Sequence, residues 1–117
     1  MYCTVALVKK RLLIPASDTS HDDEIEDEAI AEAMAIIDNF LKPHEAVPLT
    51  TVPALVGYAC ADIAAGVMKR RQKPEGVKTE GPVGTKDMRG TYEGWFAQGI
   101  QKLNDYIIVT YYQGTMK

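Results

Sequence analysis

The residues that most resemble a ligand-binding set form the acidic run DTSHDDEIEDE, which begins at Asp18. Asp18, Ser20 and Asp22 alternate like the first ligands of a calcium-binding EF-hand loop. That loop requires glycine at its sixth position and glutamate at its twelfth, whereas this chain has Asp23 and Ala29 there. The run therefore predicts an acidic helix N-terminus, which the helix dipole stabilises, and no metal site.

Other residues with reactive side chains lack the spacing that catalysis requires. His21 and His44 are the two histidines of the chain, and neither stands beside a serine or cysteine in a nucleophile motif. Cys3 and Cys60 lie far apart in the sequence without CxxC spacing, so we expect neither a zinc site nor a disulfide framework, and we expect a reducing compartment. No glycine-rich phosphate-binding motif occurs. We therefore predict a non-enzymatic protein with no catalytic residue and no cofactor.

Charge is segregated along the chain although the net charge is only −3. Eight acidic residues and no Lys or Arg lie between Asp18 and Glu32. Seven basic residues and only three acidic ones lie between Lys69 and Arg89. Opposite patches on one small domain favour a head-to-tail contact between copies. The predicted subunit-interface residues are Asp22, Asp23, Glu26, Arg70, Arg71, Lys73, Lys78 and Lys86.

Two alternatives to a subunit contact remain for these charges. They are equally well explained as solvated helix ends whose charges match the helix dipoles. The basic excess could also contact nucleic acid, although the chain lacks the interleaved aromatic residues of a single-strand binder and any helix-turn-helix signature.

Helices must position these charged patches. The stretch from Thr51 to Arg71 predicts the central helix. Its apolar residues recur at spacings of three and four, which indicates a helix buried against several neighbours. Thr51 is the expected N-cap, with Pro53 in the first turn. A row of small residues would let another backbone approach closely, from this subunit or from a second copy. That row is Gly57, Ala61 and Ala65.

The remaining helical patterns predict an all-α fold, a small four-helix bundle within one domain of residues 1–117. Helices are expected from Val5 to about Leu13, from Asp22 to Leu41, and from near Lys86 to near Ile108. A long Gly/Pro loop, with a β-hairpin as an alternative, separates the last two helices. Residues 1–108 form the predicted helical core, and 109–117 a flexible, β-prone tail that either frays or orders on a partner.

An aromatic pair in the last helix, Trp95 and Phe96, allows two interpretations. It could be an interface hot spot, but its helical spacing with Tyr92 and Gly99 favours a place in the core. The chain contains neither a secretory signal pattern at its first residues nor an apolar run long enough to span a membrane, so we expect no membrane partner.

The order of these parts resembles a known protein family. The first helix opens after MYCT and carries VKKRL, and AIAEAMAIIDNFL follows the acidic loop. ACADIAAGVMKRR lies on the central helix, and YEGWFAQGIQKL follows the Gly/Pro loop. This order and spacing resemble the head–tail connector, or adaptor, proteins of tailed bacteriophages and prophages.

The resemblance implies a structural virion protein of the phage neck, made in the host cytoplasm. Members of that family assemble as a ring, commonly twelve-fold, beneath the portal and join the DNA-filled capsid to the tail. The expected partners are further copies of the chain, the portal protein, the next neck or tail-completion protein, and passing DNA without sequence specificity. The expected portal or neck contacts are Tyr111, Tyr112 and Met116. The alternative is a small helical nucleic-acid-binding regulatory protein.

Overall fold

The structure, a computed structural model, describes residues 1–72 and 92–112, and these form four helices. Helix α1 is Val5–Leu12, and α2 spans residues 22–41. Helix α3 is Ala54–Gln72, and α4 is Tyr92–Ile107, continued by a π-helical turn at Ile108–Tyr112. No strand occurs within the described ranges, which confirms the predicted all-α class. The loop and its hairpin alternative lie outside the described residues.

Helix α1 begins and ends as its sequence predicts. The Thr4 hydroxyl accepts a hydrogen bond from the Leu7 N–H at 3.1 Å, which caps the N-terminus. At the other end Leu13 adopts a left-handed conformation, φ 62°, and its N–H bonds back to the Lys10 carbonyl. The helix therefore ends at Leu12, with Leu13 as its cap, and stops before Pro15 as expected.

Helix α2 is continuous but not uniform. It consists of an α-helical turn at Asp22–Glu24, a π-helical turn at Ile25–Ala29 and a regular α-helix at Ile30–Leu41. The outer bounds confirm the prediction of one helix from Asp22 to Leu41. The π-helical turn was not predicted, because hydrophobic spacing alone does not register one additional residue in a turn.

Helix α3 begins later than its start signals suggest. The Pro53 carbonyl accepts the first helical hydrogen bond, from the Gly57 N–H at 3.0 Å, so Pro53 occupies the cap position and helix begins at Ala54. The prediction that Thr51 caps the helix is therefore wrong. A capping side chain must stand directly before the first helical residue, and proline with its fixed φ takes that place here.

Helix α3 is the centre of the bundle, as predicted. All ten residues from Ala59 to Met68 are buried, and α1, α2 and α4 all pack against this helix. The small row is used within the chain, because Ala61 and Ala65 are fully buried and the Tyr2 carbonyl lies 3.1 Å from the Cβ position of Gly57. This row is therefore no open face for a second copy.

Helix α4 packs closely along α3 through glycine. A Cβ on Gly99 would lie 2.5 Å from Ile63 Cγ1 and 3.1 Å from the Ala59 carbonyl oxygen. Phe96 packs against the core, as expected, and Trp95 is half-buried with its Cβ against Gly66. The glycines that weaken α4 as an isolated helix therefore allow its axis to approach α3.

Packing decides two features that the sequence patterns did not show, at the end of α4 and at the cysteines. Residues Ile108–Tyr112 continue α4 as a π-helical turn, so the helical part extends past the predicted boundary at residue 108, and these residues are not extended. Cys3 and Cys60, distant in the sequence, both lie in the hydrophobic core as free thiols. The reason in both cases is packing, which local sequence patterns do not encode.

Candidate interaction surfaces

A buried cluster of charge joins three helices at the middle of α3. The Asp62 side chain is 1% exposed, and its Oδ1 accepts a hydrogen bond from Arg11 Nε at 2.7 Å. Lys102 Nζ donates to the other carboxylate oxygen. The cluster links α1, α3 and α4, and both oxygens of the carboxylate are paired. Its geometry indicates a structural role, because a buried carboxylate requires such compensation.

Sequence reasoning missed this cluster. Asp62 stands between Ala61 and Ile63 on the apolar stripe of the central helix. A carboxylate at such a position is the sequence signal that could have predicted a buried ion pair. A carboxylate at a core position needs a cationic partner, but the sequence does not show which of the thirteen Lys and Arg residues supplies it.

A second cluster, here called the charged junction, lies at the C-terminal end of α3. Arg70 pairs with Glu32 at 2.7 Å, and Arg71 pairs with Glu24 at 2.7 Å and with Glu28. The hydrogen bond to Glu24 is the largest cause that raises the pKa of Arg71. These pairs join the predicted basic and acidic patches within one chain.

The charged junction changes what the predicted subunit interface can use. Asp22 is also paired internally, with the buried Lys9 at 2.9 Å, and Lys9 donates a further bond to the Ala16 carbonyl. Asp23 and Glu26 are exposed and form no ion pair with any residue in the two described ranges. Their role as an interface stays a prediction. Lys73, Lys78 and Lys86 lie outside the described residues.

The end of α4 carries a set of exposed apolar side chains, here called the apolar end. Ile108 is 49% exposed, Val109 59% and Tyr112 46%. Two of the three predicted portal contacts, Tyr111 and Tyr112, lie in this turn, and Met116 is outside the described residues. Exposed apolar groups that lie together on a fixed turn are typical of a surface that binds another protein.

Contacts to the connector between α2 and α3 hold the apolar end in place. The His44 ring stacks on Tyr111 with centroids 5.2 Å apart, and it meets Tyr112 edge-on at 6.1 Å. The Tyr106 hydroxyl donates to Glu45 at 2.8 Å. Desolvation, together with this bond to a carboxylate, raises the pKa of Tyr106 to about 12. The turn is therefore fixed by residues that sequence reasoning did not connect with it.

Metal-binding clusters and membrane-spanning helices are both absent from the described part of the chain. Within residues 1–72 and 92–112, no group of three His, Cys, Asp or Glu side chains is arranged to hold a metal ion. None of the helices described there is long and apolar enough to cross a membrane. From Asp22 onward, the acidic run that resembles a calcium loop lies on the first turns of α2, whereas Asp18 and Ser20 precede the helix.

Comparison with known proteins defines the class to which this helical bundle belongs. It is a bacteriophage protein, and the chain belongs to the family described as Bacteriophage Mu, Gp36, whose model matches residues 4–103. Over 59 residues it is 34% identical to "Gene product J" of Escherichia phage Mu. That match covers 50% of this chain and 42% of the relative, so it spans less than half of the relative's length. No solved structure gives a significant match.

Proposed function

We propose that the protein is a head–tail connector of a tailed phage, a subunit of a ring beneath the portal that joins the DNA-filled capsid to the tail. Membership of a phage family over residues 4–103 supports a phage role, and the order of helices supports this particular one. The proposed place of action is the neck of the virion. The partners are other copies, the portal, the next neck or tail-completion protein, and the passing DNA.

The observation that carries the proposal is the apolar end. Three large apolar side chains are about half exposed on one turn, and aromatic contacts to His44 fix that turn before any partner arrives. A preorganised apolar surface loses little conformational entropy on binding. Such a surface suits a subunit that must seat on a larger ring, so we assign the portal or neck contact to Ile108, Val109 and Tyr112.

The lateral contact of the ring is assigned to the outer side of the first turns of α2. Asp23 and Glu26 point to solvent and are not used by the charged junction. A ring needs two different, complementary surfaces on each subunit. The matching surface is assigned to the basic residues Lys73, Lys78 and Lys86, as the sequence predicts.

The test uses the portal ring encoded in the same phage genome. Purified chain is mixed with portal, and complexes are measured by native mass spectrometry and by electron microscopy of the assembled ring. Ile108→Asp and Val109→Asp are expected to weaken binding at least about tenfold, since a charge is then desolvated in the interface. Leu13→Asp is the matched control, because Leu13 is an exposed apolar residue, 88% accessible, outside the apolar end.

Two outcomes would count against the proposal. One is that the unaltered chain binds no portal ring at micromolar concentration. The other is that Leu13→Asp weakens binding as much as Val109→Asp does. Failure to form a ring without portal is not decisive, because a ring that assembles on a template needs no stability of its own.

The nucleic-acid-binding regulator is the weaker candidate. Arg70 and Arg71 are held by three glutamates of the same chain, which lowers the positive potential available to phosphates. If this candidate is right, DNA binding at low salt is strong and is lost when both arginines are replaced by glutamate. Absence of binding to duplex DNA at about 50 mM salt rejects it.

A further inference from the structure

Tyr58 is a large side chain that the core of the bundle does not enclose. It stands on α3 one turn before Asp62, and it is 47% exposed, although the residues that follow it from Ala59 to Met68 are all buried. Beside it lies a cavity of about 230 Å³, whose walls include Leu7 and Pro53. An exposed aromatic side chain beside an apolar cavity is typical of a residue that anchors a protein interface.

The charges next to Tyr58 do not cancel. Asp62 supplies one negative charge, whereas Arg11 and Lys102 bring two positive charges to it. The side chains of these two cations are 24% and 30% exposed, so the surplus positive charge reaches the surface one turn from Tyr58. The surface formed by Tyr58, Arg11 and Lys102, here called the Tyr58 face, therefore presents an apolar anchor beside a positive charge.

A groove of complementary character lies on the outer side of α2. Its volume is about 510 Å³, and Ala35 and Ile36 are apolar parts of its lining. Glu32, whose side chain is 41% exposed, lines the end nearer the acidic first turns of α2, and Lys42 lines the other end. Asp27, further toward the start of α2, is exposed and forms no ion pair with the residues of 1–72 and 92–112. The groove is therefore apolar at its centre and acidic at one end.

The Tyr58 face and this groove lie on opposite sides of the bundle. Arg11 of α1 and Lys102 of α4 reach Asp62 from two directions, so the Tyr58 face lies on α3 between α1 and α4. Helix α2 also packs on α3, and it covers the remaining side. Two complementary surfaces on opposite sides of one chain suit a head-to-tail contact between copies, which closes into a ring when the rotation allows.

We propose that the groove on α2 binds the Tyr58 face of a second copy of this chain, with Tyr58 as the anchor. This contact deepens the proposed ring, on which it rests, by adding a pair of surfaces to the charged residues assigned above. Ala35 leaves room for the aromatic ring to lie against Ile36. The surplus positive charge one turn from Tyr58 then faces Glu32 and not Lys42, which determines the direction in which the two helices cross.

The test measures association between copies of the full chain by sedimentation and native mass spectrometry, both in free solution and on the portal ring. Tyr58→Ala removes the anchor and Ala35→Arg fills the groove, and each is expected to weaken association at least about tenfold. Both positions are exposed, so both variants are expected to keep their helices. Ala97→Arg is the matched control, because Ala97 is an exposed alanine of α4 that lines neither the groove nor the cavity beside Tyr58.

A mixture of the two variants tests whether the two surfaces meet each other. Tyr58→Ala keeps an intact groove and Ala35→Arg keeps an intact Tyr58 face, so an equal mixture is expected to form pairs with one chain of each kind. Native mass spectrometry distinguishes these pairs by mass. They are not expected to grow longer, because a pair retains no intact surface with which to bind a third chain. Association of the unaltered chain is expected to weaken as salt rises, since salt screens its charged contacts.

Three outcomes would overturn the inference. They are no contact between unaltered copies either free or on the portal ring, equal association of Tyr58→Ala and Ala97→Arg, and no mixed pairs from the two variants. Binding to the portal is scored separately, because it is assigned to the apolar end. Loss of the contact between copies with portal binding intact rejects this inference alone, whereas contact between copies without portal binding rejects the proposed connector role alone.

Discussion

The middle and the end of helix α3 both carry charged contacts to neighbouring helices, but under opposite conditions. At the middle, Asp62 is 1% exposed and is enclosed by Arg11 and Lys102. At the end, the Arg70 and Arg71 side chains are 44% and 40% exposed where they meet the acidic turns of α2. The same kind of ion pair therefore occurs once around a buried carboxylate with partly exposed cations and once with both partners in contact with water.

This difference determines what each cluster contributes. A buried carboxylate without its partners keeps a large desolvation cost, so loss of the contacts at Asp62 destabilises the fold. Water and salt replace most of an exposed pair, so the charged junction orients α2 against α3 at little net gain in stability. The middle of α3 therefore holds the bundle together, and its end mainly determines which charges remain free on the surface.

The largest effect is expected from Asp62→Ala. It leaves Arg11 and Lys102 without their carboxylate, and we expect the free energy of unfolding to fall by about 3 kcal/mol. Urea denaturation measures this change. Asp105→Ala, which removes an exposed carboxylate on α4, is the control and should change the free energy by less than about 0.5 kcal/mol. Equal effects of the two variants would remove the contrast between buried and exposed charge.

The second largest loss of stability is expected from Gly99→Ala, because α4 packs closely on the middle of α3. The new Cβ would overlap Ile63 and press on the Ala59 carbonyl, so α4 must move away from α3. We expect a net loss of about 2 kcal/mol, because the overpacking exceeds the gain in helix propensity. Gly57→Ala is the control, because the only close neighbour there is the Tyr2 carbonyl, which belongs to the N-terminal segment and not to a packed helix. A stabilised Gly99→Ala variant would show that the two helices are not in close contact.

An intermediate case is the hydrogen bond from Tyr106 to Glu45. Tyr106→Phe should lower the free energy of unfolding by about 1 kcal/mol at neutral pH. The pKa of Tyr106 is raised in the folded protein, so its contribution is present below pH 10 and is lost as the pH rises toward about 12. Denaturation at several pH values should therefore show the difference between the two proteins shrinking in that window. A difference that grows with pH would contradict the assignment.

The smallest effect is expected from Arg71→Ala at the charged junction. Two exposed pairs are lost, so the denaturation midpoint should fall slightly at low salt and be unchanged at about 1 M NaCl. Arg70→Ala provides the comparison, because Arg70 also lies over the Phe96 ring, 5.5 Å from its centroid. Its effect should persist at high salt, since that contact is partly apolar. If the effect of Arg71→Ala on the midpoint did not depend on salt, the ion pairs of Arg71 would behave like the buried pairs of Asp62.

Much of the fold was predictable because the helices have strong local signals. The bounds of α1 and α2, the central position of α3 and the core role of Phe96 all follow from periodicity, caps and proline. The candidate site was less predictable. The sequence placed opposite charges in two patches, but it could not show that Arg71 meets Glu24 and Glu28 of the same chain. Long-range pairing depends on how the helices cross, which no local spacing records.

The sequence by itself determined the class of fold, the helix that forms its centre and the residue types on each face, because helical periodicity and chain-breaking residues act locally. Only the tertiary structure decided which charges are neutralised within the chain, that Cys3 lies in the same core as Cys60, and that the turn after α4 is fixed with its apolar side chains exposed. These contacts join residues distant in sequence, and the packing of α1, α2 and α4 around α3 brings them together.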